Sequence, residues 1–142
     1  MAEQISIFIE NKEGRLAEVT AILRDAGVNI RALSLADTTD FGVLRLIVND
    51  IDKATPALRN QGFTVGKTRV LAVEVNDEPG GLTQVLDPLS EQNVNVEYMY
   101  AFANPQSKNA IMIFRFDDIE KAKGILEKQG IKVIDKEEIS KL

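Results

Sequence analysis

Asp50–Val65 reads DIDKATPALRNQGFTV, and Asp118–Val133 reads DIEKAKGILEKQGIKV. At an offset of 68, eight of the 16 positions are identical: Asp, Ile, Lys, Ala, Leu, Gln, Gly and Val. Upstream, at an offset of 66, Gly14-Arg15-Leu16 matches Gly80-Gly81-Leu82, Val19 matches Val85, and Val28-Asn29-Ile30 matches Val94-Asn95-Val96. The two extra residues fall between these blocks, where Thr39-Asp40-Phe41-Gly42 faces Asn104-Pro105-Gln106-Ser107-Lys108-Asn109. Length changes collect in connecting loops, so one duplication accounts for both offsets. A period this long means two small domains rather than a stack of short repeats. The expected domains are residues 1–67 and 68–142, with Lys67-Thr68 as the junction and no flexible linker.

Each copy carries the same succession of patterns. Ile5, Ile7 and Ile9 alternate with Ser6, Phe8 and Glu10, which predicts a strand, and Leu71, Val73 and Val75 do the same in copy two. A glycine turn follows, at Gly14 or Gly80. Leu16, Val19, Ile22, Leu23 and Ala26 then recur at helical spacing, and Gly27 ends the run. Strands are expected at 29–37 and 43–49, and in copy two at 95–103 and 110–116. Second helices are expected at 53–60 and 119–128, and short last strands at 63–66 and 131–134. The order β-α-β-β-α-β is the split βαβ, or ferredoxin-like, plan. The fold class is therefore α+β: two tandem repeats, each an antiparallel sheet with both helices on one face.

Strand parity assigns the sheet faces. Ile5, Ile7, Ile9, Leu33, Leu35, Leu44, Leu46 and Val48 should lie under the helices. Their counterparts are Leu71, Val73, Val75, Met99, Met112, Phe114 and Phe116. The opposite face carries Tyr98, Tyr100 and Phe102 with Ile111 and Ile113 in copy two, and Phe8, Val43 and Ile47 in copy one. A contiguous apolar patch of this kind is unusual on a lone domain. Tyr98, Tyr100 and Phe102 are thus expected to form an interface with another sheet.

Composition narrows the chemistry. The 142 residues include no His, Cys or Trp, 17 Lys+Arg and 22 Asp+Glu, for a net charge of −5. Without Cys there is no thiol nucleophile and no disulfide framework. Without His there is no imidazole base. No metal site or cofactor is expected, and Asp117-Asp118 and Asp50/Asp52 read as helix caps rather than metal ligands. Lysines and carboxylates do not pair in a pocket-like context, so no enzyme is expected. With a pI near 4.8 and its basic residues scattered among acids, the chain lacks the footprint for nucleic acid or anionic membranes. Neither a signal peptide nor an apolar run long enough for a bilayer is apparent, so the cytoplasm is the expected location. Asp40-Phe41-Gly42 reads as a hairpin turn. Pro88, standing where copy one has Ile22, is expected to kink or shorten its helix.

The residues that repeat also carry a family resemblance. Asn11-Lys12-Glu13-Gly14-Arg15-Leu16, an amphipathic helix, then Gly27-Val28-Asn29-Ile30 resembles the ACT domain signature. Asn76-Asp77-Glu78-Pro79-Gly80-Gly81-Leu82, followed by Asn93-Val94-Asn95-Val96, is similar and has the Pro-Gly form of the turn. The resemblance covers nearly the whole chain as two tandem copies. It implies a regulatory module that binds a small ligand, most often an amino acid, at an interface between domains. It implies ligand-binding roles for Asn11, Gly14, Arg15, Leu16 and Asn29, and for Asp77, Gly80, Gly81, Leu82 and Asn95.

Physical chemistry agrees with such a role. A glycine before a helix lets backbone N–H groups approach a ligand, and a helix N-terminus favours a carboxylate. A carboxamide can meet either group of a zwitterion. The bland reading uses the same residues: Gly14 and Gly80 as turn formers, Asn29 and Asn95 as turn residues, Leu16 and Leu82 as core. The function expected is an amino-acid-binding regulatory protein, a homodimer or a subunit docked on a metabolic enzyme, with a ligand leaning towards hydrophobic or aromatic. The alternative is a protein-interaction scaffold that associates through its open sheet face and binds no small molecule.

Overall fold

The computed structural model describes residues 1–37, 40–102 and 109–142. The elements are β1 (Ala2–Glu10), α1 (Arg15–Asp25), β2 (Ile30–Asp37), β3 (Phe41–Val48), α2 (Ile51–Asn60), β4 (Thr64–Val75), α3 (Gly81–Glu91), β5 (Val96–Phe102), β6 (Ala110–Phe116), α4 (Ile119–Lys128), β7 (Val133–Ile134) and α5 (Lys136–Lys141). The chain divides into two compact units. One comprises Glu3–Thr68 with Lys141, and the other Arg69–Ser140 with Met1–Ala2 and Leu142.

In the N-terminal unit the strand order is β2-β3-β1-β4, with β1–β3 and β2–β3 antiparallel. In the C-terminal unit it is β5-β6-β4-β7, again antiparallel at every pair. Each unit thus has the βαββαβ plan. Ile5, Ile7, Leu44, Leu46, Val19, Leu23, Ala54 and Leu58 form the core of the first unit between sheet and helices. Leu71, Val73, Phe114, Phe116, Val85, Leu89, Ala122 and Leu126 form that of the second. The Phe114 and Phe116 rings stack there with centroids 5.3 Å apart. The second helix of each unit opens on an aspartate cap: Asp50 accepts from the Lys53 N–H and Asp118 from the Lys121 N–H. Such caps satisfy one of the free N–H groups of a helix start.

Several expectations change. The short strand expected at 63–66 and the strand of Leu71, Val73 and Val75 are one 12-residue strand, β4. The alternation of burial lapses at the junction, where Gly66, Lys67 and Arg69 are exposed, but the backbone stays extended. Pro88 does not shorten its helix, since α3 has 11 residues, as α1 does. Phe41 and Gly42 begin β3 rather than turning the hairpin, because Phe41 pairs with Glu10 and Gly42 with Ile9. Thr39 and residues 104–108 of the hairpins lie outside the described residues, as does Ala103. Leu33 and Leu35 share a face with the buried Leu46 and Leu44, but are 50% and 51% exposed. They sit on the outermost strand, and the helices cover β1 and β3 instead. Leu16 and Leu82 are not core either, at 37% and 36% exposed. The C-terminal tail forms α5, capped by Asp135, with Ile139 buried.

On the opposite face, parity holds: Tyr100 pairs with Ile113, Phe102 with Ile111 and Phe8 with Val43. Tyr100, Phe102, Ile111 and Ile113 are buried within the chain, and Tyr98 is half-buried. Phe8 stays 56% exposed.

Candidate functional site

In the N-terminal unit, β1 ends at Glu10 and the chain turns through residues 11–14 into α1. Gly14 adopts φ 84°, the left-handed region that favours glycine, and no side chain caps the helix it starts. α2, α4 and α5 each have an aspartate at this place. The Asn11 N–H donates to the Asp40 carbonyl at 2.9 Å, which anchors the turn against the start of β3. Arg15 donates to Glu10 at 3.1 Å and to Glu18 at 3.0 Å. Lys12 lies 3.2 Å from the other Glu10 oxygen. These cations hold the Glu10 carboxyl below its ordinary range, Lys12 foremost and Arg15 next. Glu18, then Glu10, raise the Arg15 guanidinium in return. A cleft of about 70 Å³ lies beneath, lined by Asn11, Arg15 and Leu16 from the turn and by Leu35 and Gly42 from the sheet edge. Its walls are apolar on the Leu16 and Leu35 side and polar at the turn.

The equivalent turn of the C-terminal unit differs in one close contact. Gly80 again has φ 84° and α3 again lacks a side-chain cap. Gly81, however, is pressed on the Asn76 backbone: a Cβ there would stand 1.8 Å from the Asn76 carbonyl oxygen. The turn closes through Glu78 N–H to Asn76 O and Gly81 N–H to Glu78 O, both 3.0 Å, as copy one closes through Lys12 N–H to Glu10 O at 2.9 Å and Arg15 N–H to Lys12 O at 3.4 Å. Asn76 Nδ2 also donates to Gln84 at 3.2 Å. Asp77 and Leu82 lie at the surface. Copy one has Arg15 where Gly81 stands, so the two turns share a glycine conformation and closing bonds but not the close approach at Gly81.

Asn29 and Asn95 lie at the far end of the same helices. Eleven helical residues separate Gly14 from Asn29, a rise of about 16 Å. The two groups therefore cannot meet one small ligand within a unit, and the same holds for Gly80 and Asn95. Their backbones are pinned reciprocally. Asn29 N–H donates to Asn49 Oδ1 at 2.8 Å and its carbonyl accepts from Asn49 N–H at 3.1 Å. Asn95 does the same with Asp117, at 3.0 and 3.2 Å. Both side chains remain exposed.

A second cleft, which the motif reading missed, recurs in both units beside the glycine turn. In the first it is bounded by Phe8, Glu10, Arg15, Glu18, Phe41 and Phe63, with a volume of about 380 Å³. In the second it has about 310 Å³, and those six positions are Glu74, Asn76, Gly81, Gln84, Asn109 and Ile131. The signal was available in the repeat alignment: the lining differs at every one of these positions. Among the described residues no cluster of His, Cys, Asp and Glu could hold a metal ion, and no helix is long and apolar enough to cross a membrane.

Comparison with known proteins follows from this geometry. A crystallographically determined protein from Bacteroides thetaiotaomicron is 40% identical, with a TM-score of 0.93 over 99% of this chain and 96% of that one. The regulatory subunit of aspartate kinase from Thermus thermophilus, in its ligand-free form, has the same fold at 17% identity and a TM-score of 0.62, covering 89% of this chain and 91% of that one. The corresponding subunit from Thermus flavus gives 16% identity and 0.62, with 90% of each chain covered. No curated protein matches the sequence. A family model described as an ACT domain pair matches residues 1–142, and with βαββαβ order in both units the chain belongs to the ACT domain family as a tandem pair.

Proposed function

We propose that the chain is a non-enzymatic regulatory protein of the cytoplasm that binds an amino acid at an interface between ACT domains and modulates a metabolic enzyme. The two repeats, 1–67 and 68–142, are its two domains. The observation that carries the reading is the N-terminal turn. A helix start with a left-handed glycine and no capping side chain faces a cleft with Asn11 and Arg15 on one side and Leu16 and Leu35 on the other. Arg15 N–H donates to the Lys12 carbonyl at 3.4 Å, and the remaining N–H groups of that helix start suit an α-carboxylate, while the leucines suit a hydrophobic side chain.

In this proposal Asn11, Gly14, Arg15 and Leu16 form one half of the site. Because Asn29 stands about 16 Å away along α1, the second half comes from a neighbouring ACT domain of another copy, which implies a homodimer. Asp77, Gly80, Gly81, Leu82 and Asn95 are the counterparts in copy two. There the pinched turn at Gly81 leaves less room, so copy one is the stronger binder. Of Tyr98, Tyr100 and Phe102, Tyr98 is the one with surface left for an outside partner. Ligand acts by preferring one packing of the domains over another. Calorimetric titration of the full chain against all standard amino acids tests the reading. Saturable heat with a hydrophobic amino acid is expected; no heat and no thermal shift with any of them refutes it.

A further inference from the structure

We infer that Arg31 and Asp37 form a two-fold charge lock that joins β2 to β2 of a second copy of this chain, antiparallel and in one register. This joint is the interface of the homodimer proposed above, and rests on that reading. β2 ends the strand order of the N-terminal unit, so its outer edge is unpaired among the described residues. Native proteins blunt such an edge with charged side chains or proline along its length. Here the run from Ala32 to Ala36 reads ALSLA and carries neither. Leu33 and Leu35 are half-exposed on it. Charges stand only at its ends, Arg31 before and Asp37 after. A bulge between Ile30 and Ala32 leaves Arg31 without a partner on β3. Its Nε is buried and meets no acceptor among the described residues. A buried guanidinium donor left in that state calls for a carboxylate from outside the chain.

The sequence of β2 picks the register. A two-fold axis through Ser34 sets Arg31 opposite the partner's Asp37, Leu33 opposite the partner's Leu35 and Ala32 opposite the partner's Ala36. The axis repeats each pair on its other side, so two ion pairs flank two leucine pairs. Sliding the partner by two residues keeps the sheet faces but loses the match. With the axis at Leu33, Arg31 falls opposite the partner's Leu35. With the axis at Leu35, Leu33 falls opposite the partner's Asp37. The equivalent strand of the C-terminal unit, β5, is a poor substitute. Laid antiparallel on β2 with Tyr100 opposite Ser34, it brings Glu97 opposite Asp37, and like charges directly opposite are destabilising. Glu97 also has its own cation, Arg115 at 3.5 Å. The charges therefore select β2 for β2.

The test is sedimentation equilibrium of the full chain with no amino acid present. The wild type should be a dimer that high salt weakens. Arg31→Asp, and independently Asp37→Arg, bring like charges together twice per dimer and should each weaken it about tenfold or more. Mixed one to one, the two variants bring opposite charges together at both ends and should dimerise with each other as the wild type does. The double variant R31D/D37R should do so alone. If a reversal unfolds the chain, which circular dichroism melts report, Arg31→Gln carries the test: it should weaken the dimer and remove most of its salt dependence. A wild type that stays monomeric at about 1 mM overturns the lock and the homodimer together. A dimer that survives both reversals, or folded variants that stay monomeric when mixed, overturns the lock and leaves the proposed homodimer standing. Calorimetric silence towards every amino acid beside a restored mixed dimer defeats the ligand reading alone and supports this one.

Discussion

Gly81→Ala should damage the C-terminal unit out of proportion to one methyl group. A Cβ at Gly81 would lie 1.8 Å from the Asn76 carbonyl oxygen, and real Cβ contacts essentially never fall below 3.0 Å. The two backbones must therefore part by at least 3.0 − 1.8 = 1.2 Å. That carbonyl accepts the Glu78 N–H, and Glu78 in turn accepts the Gly81 N–H, both at 3.0 Å. Opening the turn forfeits both bonds, at about 1 kcal/mol each, and adds overpacking strain of about 1–3 kcal/mol. A total of about 3–5 kcal/mol follows. For a chain of this size, that corresponds to a fall of about 6–20 °C in Tm. Circular dichroism melts and urea titration of the full chain measure it. Arg15→Ala at the equivalent position of copy one is the control, since that backbone already carries a Cβ. Its loss should be limited to two exposed ion pairs, with Glu10 and Glu18, and its melt should stay close to that of the wild type. If Gly81→Ala melts within about 1 °C of the wild type, the pinched turn is not a rigid feature and the contrast between the copies fails.

Three further outcomes follow from other parts of the molecule. Asp118→Ala removes the acceptor of the Lys121 N–H at 3.1 Å and should cost about 1 kcal/mol in urea unfolding, with the fold unchanged. Leu35→Asn should shift stability by no more than about 0.5 kcal/mol because Leu35 is half-exposed, yet weaken hydrophobic-ligand heat at the interface site about tenfold. Glu10 has a folded pKa held below its ordinary 4.5, first by Lys12 and then by Arg15. Its contribution to stability is therefore present above that ordinary value and lost as pH falls through the lowered one. Glu10→Gln should flatten this part of the acid limb, read from melts at successive pH values, and leave neutral and alkaline behaviour as it was.

The duplication made most of the fold legible. Ile5, Ile7 and Ile9, and Leu71, Val73 and Val75, announced their strands because a half-buried strand must alternate. The glycine stops at Gly27, Gly62 and Gly130, all at positive φ, bounded the helices for an equally local reason. What escaped was set by tertiary position. Leu33 and Leu35 have the same pattern as buried strand residues, and only strand order reveals that β2 is the uncovered edge. Leu16 and Leu82 fit a helical stripe, but lie in first turns that overhang the core. At the site, the glycine turns were readable and their divergence was not. Gly80 and Gly14 have the same φ, yet Gly81 touches the Asn76 backbone while Arg15 reaches two carboxylates. The aromatic cleft escaped because Phe8, Phe41 and Phe63 are far apart in sequence and meet only through β1–β3 pairing and the turn before β4.

The unbroken course of β4 bears on how this molecule would respond to proteases. Trypsin's targets at Lys67 and Arg69 flank the boundary between the two units, the place where digestion normally cuts tandem domains apart. Both lie in mid-strand, and a protease needs its substrate extended and free of a sheet. Limited digestion would therefore be slow at this boundary for as long as β4 keeps its strand form. A duplication plain in the sequence would be slow to show on the gel.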